Sequence, residues 1–244
     1  MFARLALVLL VAAGFVAPAA AMDPQELLAE VDRNLNPESF ESLRKLINIE
    51  PDGTSKEFVL FTAKKGIDKL VGLFLAPASD KGRSTLRLGD NMWLFIPDVG
   101  KPLRITSMQS VTGGIFNNAD ILALDYAAEY LAEAVEEQDK TLVLRLKART
   151  DAVAYDRLVM TVDRETRLPV SIEAIAASGM LIKTLRFSEV KDFGNGIVRP
   201  SVIETDSPLH KGYKSLMIFG KIAPREFEDE VFTLNFLPRA QELR

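Results

Sequence analysis

From Lys56 onward the chain is a succession of short apolar runs in period two, each closed by turn residues, and this confines it to a mainly antiparallel β fold. Lys56–Ala63, Ile67–Ala76, Ser84–Leu88 and Met92–Ile96 are such runs in the first half. Thr141–Lys147, Arg157–Asp163, Val170–Ile175, Met180–Phe187, Val198–Thr205, Tyr213–Ile222 and Val231–Phe236 follow in the second. Thr141–Lys147 alternates most clearly, with Leu142, Leu144 and Leu146 on one face and Val143, Arg145 and Lys147 on the other. Gly89-Asp90-Asn91, Arg164–Arg167, Gly194-Asn195-Gly196 and Ser207–Gly212 are polar turns between them.

Helices are expected at two places. Asp23 is an N-cap candidate, Pro24 suits the first helical position, and Leu27, Leu28, Val31 and Leu35 then share one face. Asn36-Pro37 repeats the cap-plus-proline signal and predicts a second short turn before Leu43–Glu50. A short helix capped by Asn118 follows the Gly113-Gly114 break. The pattern as a whole reads as α+β, mainly β: an antiparallel sheet of about ten to eleven strands with a helical cap.

Residues 1–21 read as a secretory leader rather than as structure. Arg4 precedes an apolar stretch, Leu5–Val16, and Ala19-Ala20-Ala21 fits a cleavage site. That stretch is shorter than the roughly 20 residues a membrane span needs. The mature chain is expected to run over 22–244 as one domain, soluble in the periplasm. It contains no Cys, so its core must hold it without disulfides and no cysteine is available for acylation. The formal charge of the whole chain is −4, and loss of Arg4 makes it one unit more negative. A mildly acidic chain with interspersed charges argues against nucleic acid as a partner.

Catalytic signatures are missing. The one His, His210, lies in a polar turn, and no nucleophile elbow, metal-binding helix or phosphate loop is present. Neither enzymatic activity nor a cofactor or metal is expected. The apolar inventory is richer, and several strands are apolar on both faces, as in Phe58-Val59-Leu60-Phe61. Periodicity alone assigns such side chains to the core.

One stretch is more specific. Gly89-Asp90-Asn91-Met92-Trp93-Leu94-Phe95-Ile96-Pro97, a hairpin carrying the single Trp, is followed by the Gly-bearing segment Val111–Leu122. Together with Leu73-Phe74-Leu75-Ala76-Pro77, Leu158–Val162 with its turn Asp163–Arg167, and Phe232-Thr233-Leu234, it resembles the outer-membrane lipoprotein-sorting, or LolA-like, family of periplasmic carriers. The resemblance extends over most of the mature chain in motif order and spacing.

It implies a half-open antiparallel β-barrel with a helical lid and an apolar cavity that binds lipid or acylated lipoprotein for transfer towards the outer membrane. An inner-membrane transporter and an outer-membrane acceptor are the partners it implies, for a monomeric carrier. A lipid-sensing or transporter-accessory module is the alternative. On this reading Phe58, Leu60, Leu73, Trp93, Phe95, Met160, Ile182, Met217 and Phe219 line the cavity, and Phe116, Ile121, Leu122 and Leu124 belong to the lid. It also makes Glu129–Glu137 a strand paired with Thr141–Lys147, although Tyr126–Gln138 is rich in helix-favouring Ala and Glu. The family's lid-fastening Arg, just before the Pro that ends the long strand, is replaced here by Ala76.

Overall fold

The computed structural model describes residues 22–244, so the leader assigned to residues 1–21 lies outside the described residues. Helix α1, Pro24–Leu35, begins as its sequence dictates. The Asp23 carboxylate accepts the backbone N–H of Gln25 at 2.8 Å and of Glu26 at 3.4 Å. Leu27, Leu28, Val31 and Leu35 are buried on its inner side.

The rest is dominated by one open antiparallel sheet of 13 strands. In chain order these are β1 (Ser39–Ile49), β2 (Ser55–Lys65), β3 (Lys69–Ala76), β4 (Ser84–Leu88), β5 (Asn91–Phe95) and β6 (Pro102–Ile105). Two one-turn helices follow, α2 (Asn118–Ile121) and α3 (Tyr126–Glu129). Then come β7 (Tyr130–Glu137), β8 (Thr141–Ala148), β9 (Arg157–Asp163), β10 (Pro169–Ile175), β11 (Leu181–Asp192), β12 (Val198–Asp206) and β13 (Lys214–Pro224).

The spatial order is β6-β5-β4-β3-β2-β1-β13-β12-β11-β10-β9-β8-β7. Each half is therefore a run of nearest-neighbour hairpins, and the halves meet where β1 pairs with β13. This order leaves β6 and β7, neighbours in sequence, at opposite edges. The stretch between them, residues 106–129, has to cross one face of the sheet.

Several expectations are corrected. Residues after Asn36-Pro37 form no helical turn; they enter β1, which pairs along its length with β2 and with β13. The sheet has more strands than the expected ten to eleven, gaining β1 and the short edge strand β6. Val231–Phe236 is not a strand. It runs from the end of one 3-10 turn, Asp229–Phe232, through the bend that leads to a second, Leu237–Leu243, because β1 already occupies the edge of β13. Phe232 and Phe236 are buried four residues apart while Leu234 is exposed, a helical rather than a period-two spacing. Residues 130–137 do pair with β8, so sheet context overrides their helix propensity.

Both faces of the sheet are covered. On one, α1 and the crossing segment bury Phe58, Leu60, Phe74, Leu144, Met160 and Ile172 among others. On the other, the C-terminal turns lay Phe227, Phe232, Phe236, Leu237, Ala240 and Leu243 on Phe61, Val71, Leu73, Leu86 and Phe95. A fully buried Leu or Phe contributes about 1.5–3 kcal/mol. Among the described residues no helix is long and apolar enough to cross a membrane.

A candidate ligand cavity

The inward phase of the strands carries cations as well as hydrocarbon. In β1 the sequence Phe40, Ser42, Arg44, Leu46 points to the α1 side, in β2 Phe58, Leu60, Thr62, Lys64, and β4, β11 and β12 contribute Arg87, Lys183 and Arg199. All of these Arg and Lys side chains are at most 6 % exposed. A buried charge needs partners, and most find theirs on the crossing segment. Lys64 Nζ lies 2.8 Å from Asp125 Oδ1, and Lys183 Nζ 2.8 Å from Asp120 Oδ2. Arg87 pairs with the Glu129 carboxylate and donates through Nη1 to the Leu122 carbonyl at 2.9 Å.

The end of α2 is held by two guanidinium groups. Helix-terminal carbonyls lack intrahelical partners, and here Arg44 Nη2 donates to the Ile121 carbonyl while Arg87 takes that of Leu122. At its start, Asn117 and Asp120 form a reciprocal capping box. Tyr155 donates its hydroxyl to Asp120 at 3.0 Å and accepts from Asn117 Nδ2 at 2.8 Å. The position of the family's fastening Arg, Ala76, is the last residue of β3. The carbonyls at the end of α2 are met instead by Arg44 on β1 and Arg87 on β4.

Gly113-Gly114 is less free than its composition suggests. Gly113 has φ +79° and open space around it, but a Cβ on Gly114 would lie 1.9 Å from Asn48 Oδ1. That Asn also donates to the Thr112 carbonyl at 3.1 Å, so the loop is pressed onto the ends of β1 and β13.

Asp32 fastens the other end. Its carboxylate accepts the N–H groups of Tyr126 and Ala127, both at 2.8 Å. Burial, outweighing those hydrogen bonds, and the nearby Asp125 charge raise its pKa to about 7. Burial likewise pushes the Tyr126, Tyr130 and Tyr155 hydroxyls well above the phenol range, so they stay neutral donors.

Between cover and sheet lies a cavity of about 90 Å³. Phe40, Leu70, Phe116, Leu124, Leu158, Ile172, Leu185, Met217 and Phe219 make it mainly apolar, and Arg44, Arg199, Asp32, Asp120 and Glu129 also reach its wall.

Of the side chains expected to line it, Met217 and Phe219 do so. Phe58, Leu60 and Met160 are buried in the same core without lining the cavity, and Ile182 packs at its margin. Leu73, Trp93 and Phe95 belong to the opposite face, against the C-terminal turns. β5 is apolar in both phases, and it is Met92 that points inward. Phe116, Ile121, Leu122 and Leu124 all lie in the inner core, with Phe116 and Leu124 on the cavity wall. The buried cations were missed. Their signal was available: a Lys or Arg in phase with apolar neighbours along a strand.

A 13-stranded open antiparallel sheet, with α1 and an edge-to-edge segment enclosing an apolar cavity, defines the LolA-like class of fold. A LolA superfamily protein from Nitrosomonas europaea superposes with a TM-score of 0.80 at 25 % identity, covering 88 % of this chain and 100 % of its own. A putative outer membrane lipoprotein-sorting protein domain from Vibrio parahaemolyticus gives 0.76 at 17 % identity, covering 88 % and 98 %. A DUF1329 family protein from Desulfovibrio piger gives 0.74 at 21 % identity, covering 88 % and 100 %. No curated protein sequence matches the chain. A family model described as "-like: Uncharacterized protein" matches residues 66–239, and the chain belongs to that family, which is LolA-like.

Proposed function

We propose that the protein is a periplasmic carrier that shelters the acyl chains of a lipid or acylated protein under residues 106–129, which act as a lid, for transfer towards the outer membrane. The observation that carries this reading is the kind of cover the inner face has. Its apolar side chains, Phe116, Ile121, Leu122 and Leu124, sit over a residual cavity, and its backbone is held by cations rising from the sheet. Such ties can be exchanged one by one, unlike a continuous apolar interface.

The cavity of about 90 Å³ is a closed state. A cavity of about 150 Å³ admits benzene, so an acyl chain requires the lid to move. The gain is large, because each methylene withdrawn from water is worth about 0.8 kcal/mol. An inner-membrane transporter as donor and an outer-membrane acceptor fit the same reading, with the carrier acting as a monomer and without catalysis.

Hydrogen exchange across Val111–Leu124, with and without lipid, tests the lid. The expected result is slow exchange in the empty protein, faster exchange on loading, and an unchanged sheet. Equal deep protection in both states would make the segment a permanent plug. Native mass spectrometry should show stoichiometric lipid, and transfer between vesicles separates a carrier from a sensor.

A further inference from the structure

Arg44 and Arg199 differ from the other buried cations of the inner face. Lys64, Arg87 and Lys183 each meet a carboxylate from the crossing segment or its continuation. Among the described residues neither Arg44 nor Arg199 meets one. Arg44 uses Nη2 on the Ile121 carbonyl and Nη1 on the Met217 thioether at 3.4 Å, a weak acceptor, and its buried Nε has no partner. Arg199 donates to the Leu35 carbonyl at 2.8 Å, Asn36 Oδ1 at 2.6 Å and the Pro200 carbonyl at 3.3 Å, all uncharged.

The two guanidinium groups flank one ring on the cavity wall. Arg199 lies 4.4 Å and Arg44 5.8 Å from the centroid of Phe219. Burial holds Arg199 at about 10 and, with the Arg199 charge added, Arg44 at about 9. The cavity's carboxylates are engaged elsewhere: Asp120 by Lys183 and Tyr155, Glu129 by Arg87, and Asp32 by backbone N–H groups. Two adjacent, unneutralised charges in an apolar wall oppose folding unless a negative charge joins them.

We propose that Arg44 and Arg199 form a receptor for an anionic group, a carboxylate or a phosphate, so that the cargo is an anionic amphiphile with its charged end beside Phe219. This rests on the carrier reading above and deepens it. Guanidinium groups suit both anions, which they bind through paired N–H donors. An anion reaching Arg44 competes for the donor now on the Ile121 carbonyl. Loading this end of the cavity therefore loosens one of the two guanidinium ties at the end of α2.

The test compares ligands of one chain length and different heads: palmitate and hexadecyl phosphate against hexadecanol, with inorganic phosphate as the free anion. Affinities are read by native mass spectrometry and by displacement of a cavity-bound dye, on wild type, Arg199→Gln and Arg44→Gln. A charged hydrogen bond is worth about tenfold or more in affinity, so both anions should outbind hexadecanol by at least that factor. Arg199→Gln, whose residue makes no hydrogen bond to α2, should erase the preference and leave hexadecanol binding unchanged. Its unliganded melting temperature should equal or exceed that of wild type, which a merely structural arginine would not allow.

Hexadecanol binding as tightly as palmitate to wild type overturns the receptor and leaves the carrier standing. This comparison needs no variant, so it decides even if one fails to fold. Arg199-dependent binding of inorganic phosphate without binding of any C16 compound supports the receptor with a free anion as occupant, and sinks the carrier. Binding of none of the probes overturns both.

Discussion

The sheet carries two covers built on opposite principles. The C-terminal cover is hydrocarbon on hydrocarbon, with Phe227, Phe232, Phe236 and Leu237 packed on Phe61, Leu73, Leu86 and Phe95. Its ion pairs, Lys65 and Lys69 with Asp229 and Arg225 with Glu41, each have a solvent-exposed partner, and beneath them Ser84 Oγ donates to the Leu237 carbonyl at 2.7 Å. The inner cover also buries apolar side chains, but it leaves a void and is tied by Arg44, Lys64, Arg87 and Lys183. Area-driven contact has no charge to titrate or to exchange and is lost only when the whole segment lifts. Charge-assisted ties are individually exchangeable, and each depends on protonation or on a competing ion. On the carrier reading, the difference separates a fixed wall from a movable one.

The largest effect should come from the fixed wall. Phe232→Ala removes a side chain only 3 % exposed and is expected to lower global stability by about 3–5 kcal/mol in chemical denaturation. Lipid binding in the surviving folded fraction should be unchanged. A loss confined to hydrogen exchange of residues 225–244 would make the two covers more alike than claimed.

Asp120→Asn addresses the movable wall. It leaves Lys183 buried without its carboxylate and turns one of the two oxygens shared among Lys183, Tyr155 and the Asn117 N–H into an N–H donor. Removing one member of a buried pair costs about 3–5 kcal/mol, but here the cost should fall on the closed state of 106–129. Faster exchange there, with a smaller shift in global unfolding than for Phe232→Ala, is the expected outcome. Cooperative loss of the whole fold would contradict it.

Asp32→Asn should show the movable wall's pH dependence. The folded pKa of Asp32, about 7, lies above the ordinary 3.8, so the folded state binds the proton more tightly. Its contribution is full below pH 4 and is lost as pH rises towards 7, on the order of a few kcal/mol. Lys64 and Asp125 act on the same carboxylate in opposite senses. Subtracting the variant's stability profile from that of wild type should give a fall across this window. A flat difference would remove Asp32 from the account.

The smallest expected effect is none. Trp93 packs with the outer cluster and lies 5.9 Å from the Arg104 guanidinium. Its emission should respond to Phe232→Ala and stay constant when a C16 ligand fills the inner cavity. A ligand-induced shift would mean that the faces communicate through β5.

Most strands were legible because period two survives on a sheet with one apolar phase. The failures have a common cause: two signals of comparable strength. In β5 both phases are large and apolar, so alternation could not tell Met92 from Trp93 as the inward residue. In β1 the inward phase contains Ser42 and Arg44, which broke the apolar rhythm and left Asn36-Pro37 to suggest a helical turn. The residues that hid this strand are also those that build the site, since Arg44 reads as a surface charge until the pairing of β1 places it inside. At the C-terminus, Phe232, Leu234 and Phe236 fit either period, and only the occupied edge of β13 decided between them.

The seam between β1 and β13 has a consequence for how the molecule comes into being. Every other strand pairs with its neighbour in sequence, whereas this junction brings together groups such as Glu41 and Lys221, 180 positions apart. Hairpins close quickly and long loops slowly, so each half can assemble by itself while the join waits for the end of the chain. Until residues 214–224 arrive, β1 offers a bare row of N–H and C=O groups, the kind of edge that invites pairing with a stranger. Arg44 stands on one side of that join, and Phe219 and Arg199 on the other. The proposed receptor is thus complete only once the halves join, since before that Arg44 has neither Phe219 nor Arg199 beside it.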